Sequence, residues 1–567
     1  MKMRKNGAEI LSLVLVALLG FVLIFPIILS CISGFRIGGE WNLFFLKNVF
    51  EREIYITGFL KSLEVAFSVT FFCLILSLPL SFLLSRCSFA GKKIIEVLLY
   101  APVVLPPFVG AIGIKKFLSM DGGGLNIILS KIGLIDITSP PNWLGEHIFA
   151  MVVLLEVLHL YPVMLLNIQT AISNVDPSLE ESARNLGANS WKVFSSVTLP
   201  LTMPGIFAGG AIVFIWSFTE LGTPLMFDWT EVTPVQVFRG LQSIDMKPQP
   251  YVLVMFMLIV SGGIYLLGKH FFGKTIETYG GKSGGERQIR KLGKAGTFFA
   301  LIACCGIIFV SLLPHVFVFF MSISRSWHFS ILPEKFTLSH HLKIFSKETA
   351  LLPIINSLKY SSICVLLDLL IGIPSAYIIA RSKARSKVFL DILTMLPLAV
   401  PGIVMAFGYL AMTRPGMPFS IFDPRTSNPT ILIAVAYAVR RLPFVVRGCS
   451  AGIAQVPVVL EESARVHGAK VSETLSKITL PLIMANIVAS SVLTFSFAML
   501  EVSDSLILAY WQEDYPVPKA IWEISFQLQN GENIACALGV WFMLLLTVAL
   551  LFSRRIMGKR LSLLFRA

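Results

Sequence analysis

Twelve apolar stretches, each of about 20 residues, run along this chain and limit what it can fold into. They lie near 8–33, 57–85, 93–118, 148–173, 204–227 and 251–272, then near 295–323, 351–380, 388–412, 428–450, 484–510 and 534–557. Such runs are too long for barrel strands, and hydrocarbon offers no partner to an open sheet edge, so all twelve are expected to be helices. Charged residues make up 14% of the chain, against about 25% in a soluble domain. The expected class is an all-α integral membrane protein. The first stretch follows Lys2, Arg4 and Lys5 as a leader's would, but it outruns a leader's apolar region and reads as a retained first helix.

The formal net charge of +14 needs no nucleic acid to explain it, because cations beside apolar stretches set membrane orientation. Lys2, Arg4 and Lys5 precede the first stretch, and Arg86, Lys92 and Lys93 follow the second. A basic stretch from Lys269 to Lys294 follows the sixth, and Arg381, Lys383, Arg385 and Lys387 follow the eighth. Arg554, Arg555, Lys559 and Arg560 close the chain. In a twelve-helix count all of these fall on one side, which places both termini in the cytoplasm. The eight cysteines show neither metal spacing nor a disulfide framework and read as small buried hydrophobes.

The chain also repeats itself. EESARNLGANSWKVFSSVTLP, from Glu180 to Pro200, returns 281 residues later as EESARVHGAKVSETLSKITLP, from Glu461 to Pro481. Farther upstream the matching pairs lie 295 apart: Pro79 with Pro374, Arg86 with Arg381, Pro102 with Pro397, and Pro106 with Pro401. The first half therefore carries about 14 extra residues, assigned to the outer loop holding Gly122-Gly123-Gly124 and Pro140-Pro141. Six helices per half is an even number, so the halves are parallel repeats about an axis along the membrane normal. The expected organisation is a first repeat over 1–272, a basic glycine-rich linker over 273–294 and a second repeat over 295–567. Prolines at equivalent places (Pro79/Pro374 and Pro106/Pro401) predict breaks in core helices.

Each copy of the repeated stretch is polar and helix-prone, which points to two equivalent docking points for something soluble on the cytoplasmic side. In the first, Asp176-Pro177 is a helix start, Asp at the cap and Pro in the first turn. A short helix through Ala183 then ends near Gly187, where glycine can take the left-handed conformation. The second copy has Val456-Pro457 and lacks the acidic cap. Small residues at fixed places permit close approach, and Glu181 and Glu462 can pair with basic groups of a partner.

The spacing E-x-A, three residues, Gly, nine residues, aliphatic-x-Leu-Pro resembles the coupling loop of permeases in binding-protein-dependent ABC importers. Glu181, Ala183, Gly187, Leu199 and Pro200 carry it once; Glu462, Ala464, Gly468, Leu480 and Pro481 carry it again. Serine stands at the usual middle alanine in both. The resemblance implies the type I importer permease fold in a bacterial inner membrane, without enzymatic activity in this chain. It implies two copies of an ABC ATPase on the cytoplasmic side, where ATP and Mg²⁺ bind, a soluble substrate-binding protein outside, surrounding lipid, and no cofactor on this chain. The fused, duplicated layout most resembles the ferric-iron permeases, with thiamine, phosphonate and sugar-phosphate permeases as relatives.

Gly268–Thr275 satisfies the phosphate-loop pattern G-x-x-x-x-G-K-[ST]. That chemistry needs a strand before it and a helix after it. Here it ends an apolar helix, so it reads as a basic flank.

Charge inside the apolar stretches is the remaining signal, since such groups usually face a cavity or a partner. Glu220 and Glu501 are 281 apart, Asp504 stands opposite Thr223, and His159 stands opposite Arg440, which Arg441 follows. A buried ion pair and a gated path are both open readings. The acids suit a hard cation such as ferric iron; Arg440, Arg441 and His159 suit a phosphate- or phosphonate-bearing solute. No metal ligand set follows. Parallel six-helix repeats also describe secondary transporters, but those have no use for the doubled coupling stretch.

Overall fold

A backbone inside hydrocarbon can bond only to itself, and the apolar stretches accordingly coil into helices. The computed structural model describes residues 2–37, 40–103, 105–136, 138–242, 248–279, 290–345, 351–527 and 530–557. The first half contains α1 (Gly7–Ser33), α2 (Glu53–Arg86), α3 (Pro107–Leu118), α4 (Ile148–Asn174), α5 (Pro177–Asn185), α6 (Leu199–Phe218) and α7 (Gln249–Tyr279). The second half repeats the order with α8 (Lys294–Ser322), α9 (Leu352–Arg381), α10 (Gly402–Met412), α11 (Thr430–Gln455), α12 (Val458–Val466), α13 (Met484–Met499) and α14 (Gly531–Met557). Among the described residues, eight helices are long and apolar enough to cross a membrane, or up to twelve if bent pairs count as single spans.

The extra length of the first half falls where expected: residues 119–147 join α3 to α4, whereas 413–429 join α10 to α11. Strands among the described residues form three two-stranded pairs. One pairs Cys87–Ser88 with Arg290–Lys291 in parallel, tying the end of α2 to the start of the second half. Helix α7 continues through Tyr279, so residues 273–279 are helical rather than linker; 280–289 lie outside the described residues. The pattern at Gly268–Thr275 therefore sits within a continuous helix and makes no loop.

The proline expectation needs correcting at one pair. Pro79 and Pro374 lie inside unbroken α2 and α9, since neighbouring membrane helices can satisfy the one carbonyl a proline frees. The stretches 93–118 and 388–412 are broken: Lys92–Val103 meets α3 at 91°, and Lys387–Leu398 meets α10 at 106°. Prolines stand at each break, Pro102, Pro106 and Pro107 at the first and Pro397 with Pro401 at the second. Each removes a donor; Ala101 and Leu396, before the first proline, stay helical, and the chain turns extended at Pro106 (ψ 121°) and Pro401 (ψ 141°). The stretches 204–227 and 484–510 are likewise interrupted, at Thr219–Leu221 and at Leu500–Val502.

Small residues knit α2 to α4. Cys73, Ser77, Ser81 and Ser85 follow one another at four-residue spacing and point at the carbonyls of Val157, Tyr161, Leu165 and Gln169. Their counterparts 295 residues on are Asp368, Gly372, Ala376 and Ala380, of which Gly372 closes directly on Val445 of α11. Small side chains of this kind let membrane helices approach closely. On the outward face of α2, Phe67, Phe71 and Ile75 are exposed, as residues against lipid are.

Each half lends its first helix to the other. Helix α1 packs on α10 and α8 packs on α3. Tyr409 donates to the Val22 carbonyl at 3.0 Å, Gly408 lies against the Pro26 backbone, and Gly113 lies against the Pro314 carbonyl.

Candidate functional site

The repeated stretch folds the same way twice. Asp176 caps α5 by accepting from the Ser178 amide at 2.9 Å, while Pro457 stands at the cap of α12 with no side-chain cap bond. Both helices end in a left-handed glycine, Gly187 at φ +86° and Gly468 at φ +87°, and among the described residues nothing beyond its chain neighbours lies within 4 Å of a Cβ built at either. A single π-helical turn follows in each copy, Phe194–Thr198 and Leu475–Thr479.

The surface these segments present is mixed. Glu181 and Glu462 are exposed, Ala183 and Ala464 are half-buried, and Pro200 and Pro481 are exposed beside half-buried Leu199 and Leu480. Leu186 and Val466, one residue before and two before the turning glycine, are 89% and 84% exposed. Trp191 adds a 73% exposed ring in the first copy.

Sequence reasoning passed over the neighbouring acids. Glu180 and Glu461 are buried, and each reaches the last residue of a long helix. Arg86 Nη2 lies 2.7 Å from Glu180, and Arg381 Nε lies 3.3 Å from Glu461. Thr198 donates to Glu180 at 2.7 Å, and Thr479 donates to Glu461 at 3.2 Å. One signal was available: Glu and Thr recur eighteen positions apart in both copies, with an arginine upstream in both halves.

The intramembrane charges divide unequally between the halves. Glu220 sits in the break after α6 and accepts from the Gly222 and Thr223 amides at 3.1 and 3.3 Å, capping the short helix Gly222–Met226. Its counterpart Glu501 instead pairs with both Arg440 and Arg441. Asp504 lies 3.6 Å from Arg440, and the Arg441 guanidinium stands 5.5 Å over the Phe497 ring. His159 is not among the acids: its Nδ1 lies 2.9 Å from the Pro102 carbonyl, at the break before α3. Arg440 occupies the matching place before α10, filling the space that a side chain on Gly402 would need.

Where the halves meet, Trp216, Thr219, Pro401, Arg440, Arg441 and Phe444 line a cavity of about 20 Å³, room for one water. Two further buried acids join this region, Glu156 with the Ser217 hydroxyl and Asp368 beside Cys364. Each stood alone within an apolar run and could have been found on that ground. Among the described residues, no three His, Cys, Asp or Glu side chains are grouped to hold a metal.

The family described as a binding-protein-dependent transport system inner membrane component matches residues 68–272 and 369–563. Each match begins within α2 or its counterpart α9, leaving α1 and α8 outside. A ferric transport system permease protein of Actinobacillus pleuropneumoniae is 25% identical over 569 residues, 97% of this chain and 78% of its own length. A putative ferric transport system permease protein of Haemophilus influenzae is 25% identical over 512 residues, 88% of this chain and 77% of its own. A molybdenum transport system permease protein of Escherichia coli is 36% identical over 168 residues, 30% of this chain and 69% of its own.

Proposed function

The chain belongs to the family of binding-protein-dependent transport system inner membrane components, and from that premise we propose how its parts work. It is the multi-pass inner-membrane permease of an importer, served by an ATPase and a substrate-binding protein. It is not itself an ATPase.

Its two cytoplasmic-side stretches each receive one copy of the ATPase, so that one chain serves two. The observation that carries this is the doubled geometry, since α5 and α12 have the same glycine turn and the same π-helical turn, and each bares one apolar residue just before its glycine. Both termini then lie in the cytoplasm, ATP and Mg²⁺ bind only on the ATPases, and the binding protein docks on the opposite face. Closure of the ATPases on ATP draws α5 and α12 together and swings the halves as rigid bodies. The path between the halves runs past Glu220, Glu501 and Asp504.

The solute is ferric iron. Two relatives that run along most of the chain are ferric transport permeases, and the acids within the apolar stretches, Glu156, Glu220, Glu501, Asp504 and Asp368, outnumber Arg440 and Arg441. A hard cation suits oxygen ligands. Metal analysis and mass spectrometry of the binding protein purified with this permease will test the assignment. Iron bound in stoichiometric amount is expected; a phosphorylated solute, a phosphonate or molybdate in its place would overturn it.

A further inference from the structure

Each coupling helix is joined to its neighbours through segments that give. Helix α5 leaves α4 through the extended residues Val175 and Asp176 and leaves through Gly187 and the π-helical turn at Phe194–Thr198. The second copy repeats this with Val456 and Pro457, Gly468 and Leu475–Thr479. Bonded only through such joints, a pushed coupling helix would pivot and its motion would dissipate there.

A third attachment bypasses the joints. Helix α2 has 34 residues, about 50 Å at the α-helical rise, against a hydrocarbon core of about 30 Å. Arg86 is its last residue and reaches the coupling helix directly. Glu180 receives Arg86 from one side and Thr198 of the π-helical turn from the other. In the second half Glu461 receives Arg381, the last residue of α9, and Thr479. Arg465 at 3.2 Å and Tyr377 at 3.5 Å add to it, and Arg381 also donates to the Ile453 carbonyl at the end of α11 at 2.7 Å. A carboxylate without exposure, tied by charge-assisted bonds to three elements, resists the small displacements that a solvated pair would allow.

We propose that Glu180 and Glu461 are transmission latches, which clamp α5 to α2 and α12 to α9 so that ATPase closure moves the long helices directly. They are positioning residues, acting through Arg86 and Arg381, and the inference rests on α5 and α12 being the docking helices. The two latches are equivalent in design, and the second adds Tyr377 of α9 to the tie.

The test uses the whole complex of permease and ATPases in lipid nanodiscs, with the native cysteines replaced and spin labels at Met120 and Ile421. These are exposed residues on the two outer connections. Trapping with ATP and vanadate should change the label distance in the unaltered complex. With Glu180→Gln and Glu461→Gln together, the ATPases should remain bound and hydrolyse ATP, while the population reaching the new distance falls below about half. Thr198→Val with Thr479→Val, a milder change that strands no charge, should give a smaller loss. Arg86→Glu with Glu180→Arg should recover part of the shift in the first half. A full distance change in the double glutamine variant would overturn the proposal, as would loss of the ATPases from that variant, which would make the acids part of the docking surface. Failure of docking itself would show separately, as unaltered permease that retains no ATPase.

Discussion

Arg440 and Arg441 are adjacent on α11, where successive side chains diverge by about 100°, yet both reach Glu501. The acid therefore neutralises two guanidinium groups in a place where an uncompensated charge is costly. Glu501→Gln should destabilise the protein by about 3–5 kcal/mol, the usual cost of stranding buried charge. Arg440→Met should cost less, because Glu501 keeps Arg441 and only Asp504 loses a partner. Thermal unfolding of the two variants in detergent will rank them, and equal losses would contradict the shared arrangement. Sequence could name these residues but not their pairing. Offset arithmetic made Glu220 and Glu501 equivalent, whereas the structure gives one a helix cap and the other two arginines. The reason is local: position 440 is arginine in one half and histidine (His159) in the other.

The coupling helices show what an element's sequence reveals and what it hides. The glycine ending, the Asp176 cap and the short helix were legible, since each follows from backbone preference alone. The inward turn of Glu180 was not, because adjacent Glu180 and Glu181 look alike until Arg86, 94 positions away, is seen beside the first. Proline breaks were legible where two prolines stand four apart and not where one stands alone, as at Pro79. The glycines also provide a test. Replacing Gly187 and Gly468 by valine forces a β-branched residue into the left-handed region, at roughly 1–2 kcal/mol per site, and puts bulk on the docking face. Co-purification of the ATPase should be lost, whereas asparagine, which tolerates that conformation, should retain most of it. Equal binding by valine and glycine forms would remove these turns from the docking surface.

At the scale of the molecule, the halves are bound by exchanged first helices. The repeat was legible as an offset, but the exchange was not, since nothing in an apolar stretch says which half it will pack against. Gly113 and Gly408 hold the crossings by letting backbone meet backbone. Alanine at either should cost about 1–3 kcal/mol by overpacking, read as a lowered melting temperature. Gly262, within α7 and with nothing near a built Cβ, is the control, and alanine there should leave stability unchanged or raise it by up to about 1 kcal/mol. A drop at Gly262 equal to that at Gly113 would contradict the close crossing.

The account's central claim is that one chain carries two ATPase docking sites of the same construction. Native mass spectrometry of the complex purified from membranes measures this directly. Two ATPase copies per chain are predicted, falling to one when either Gly187 or Gly468 alone is changed to valine. A single ATPase on the unaltered chain, or loss of both copies from either single variant, would contradict it.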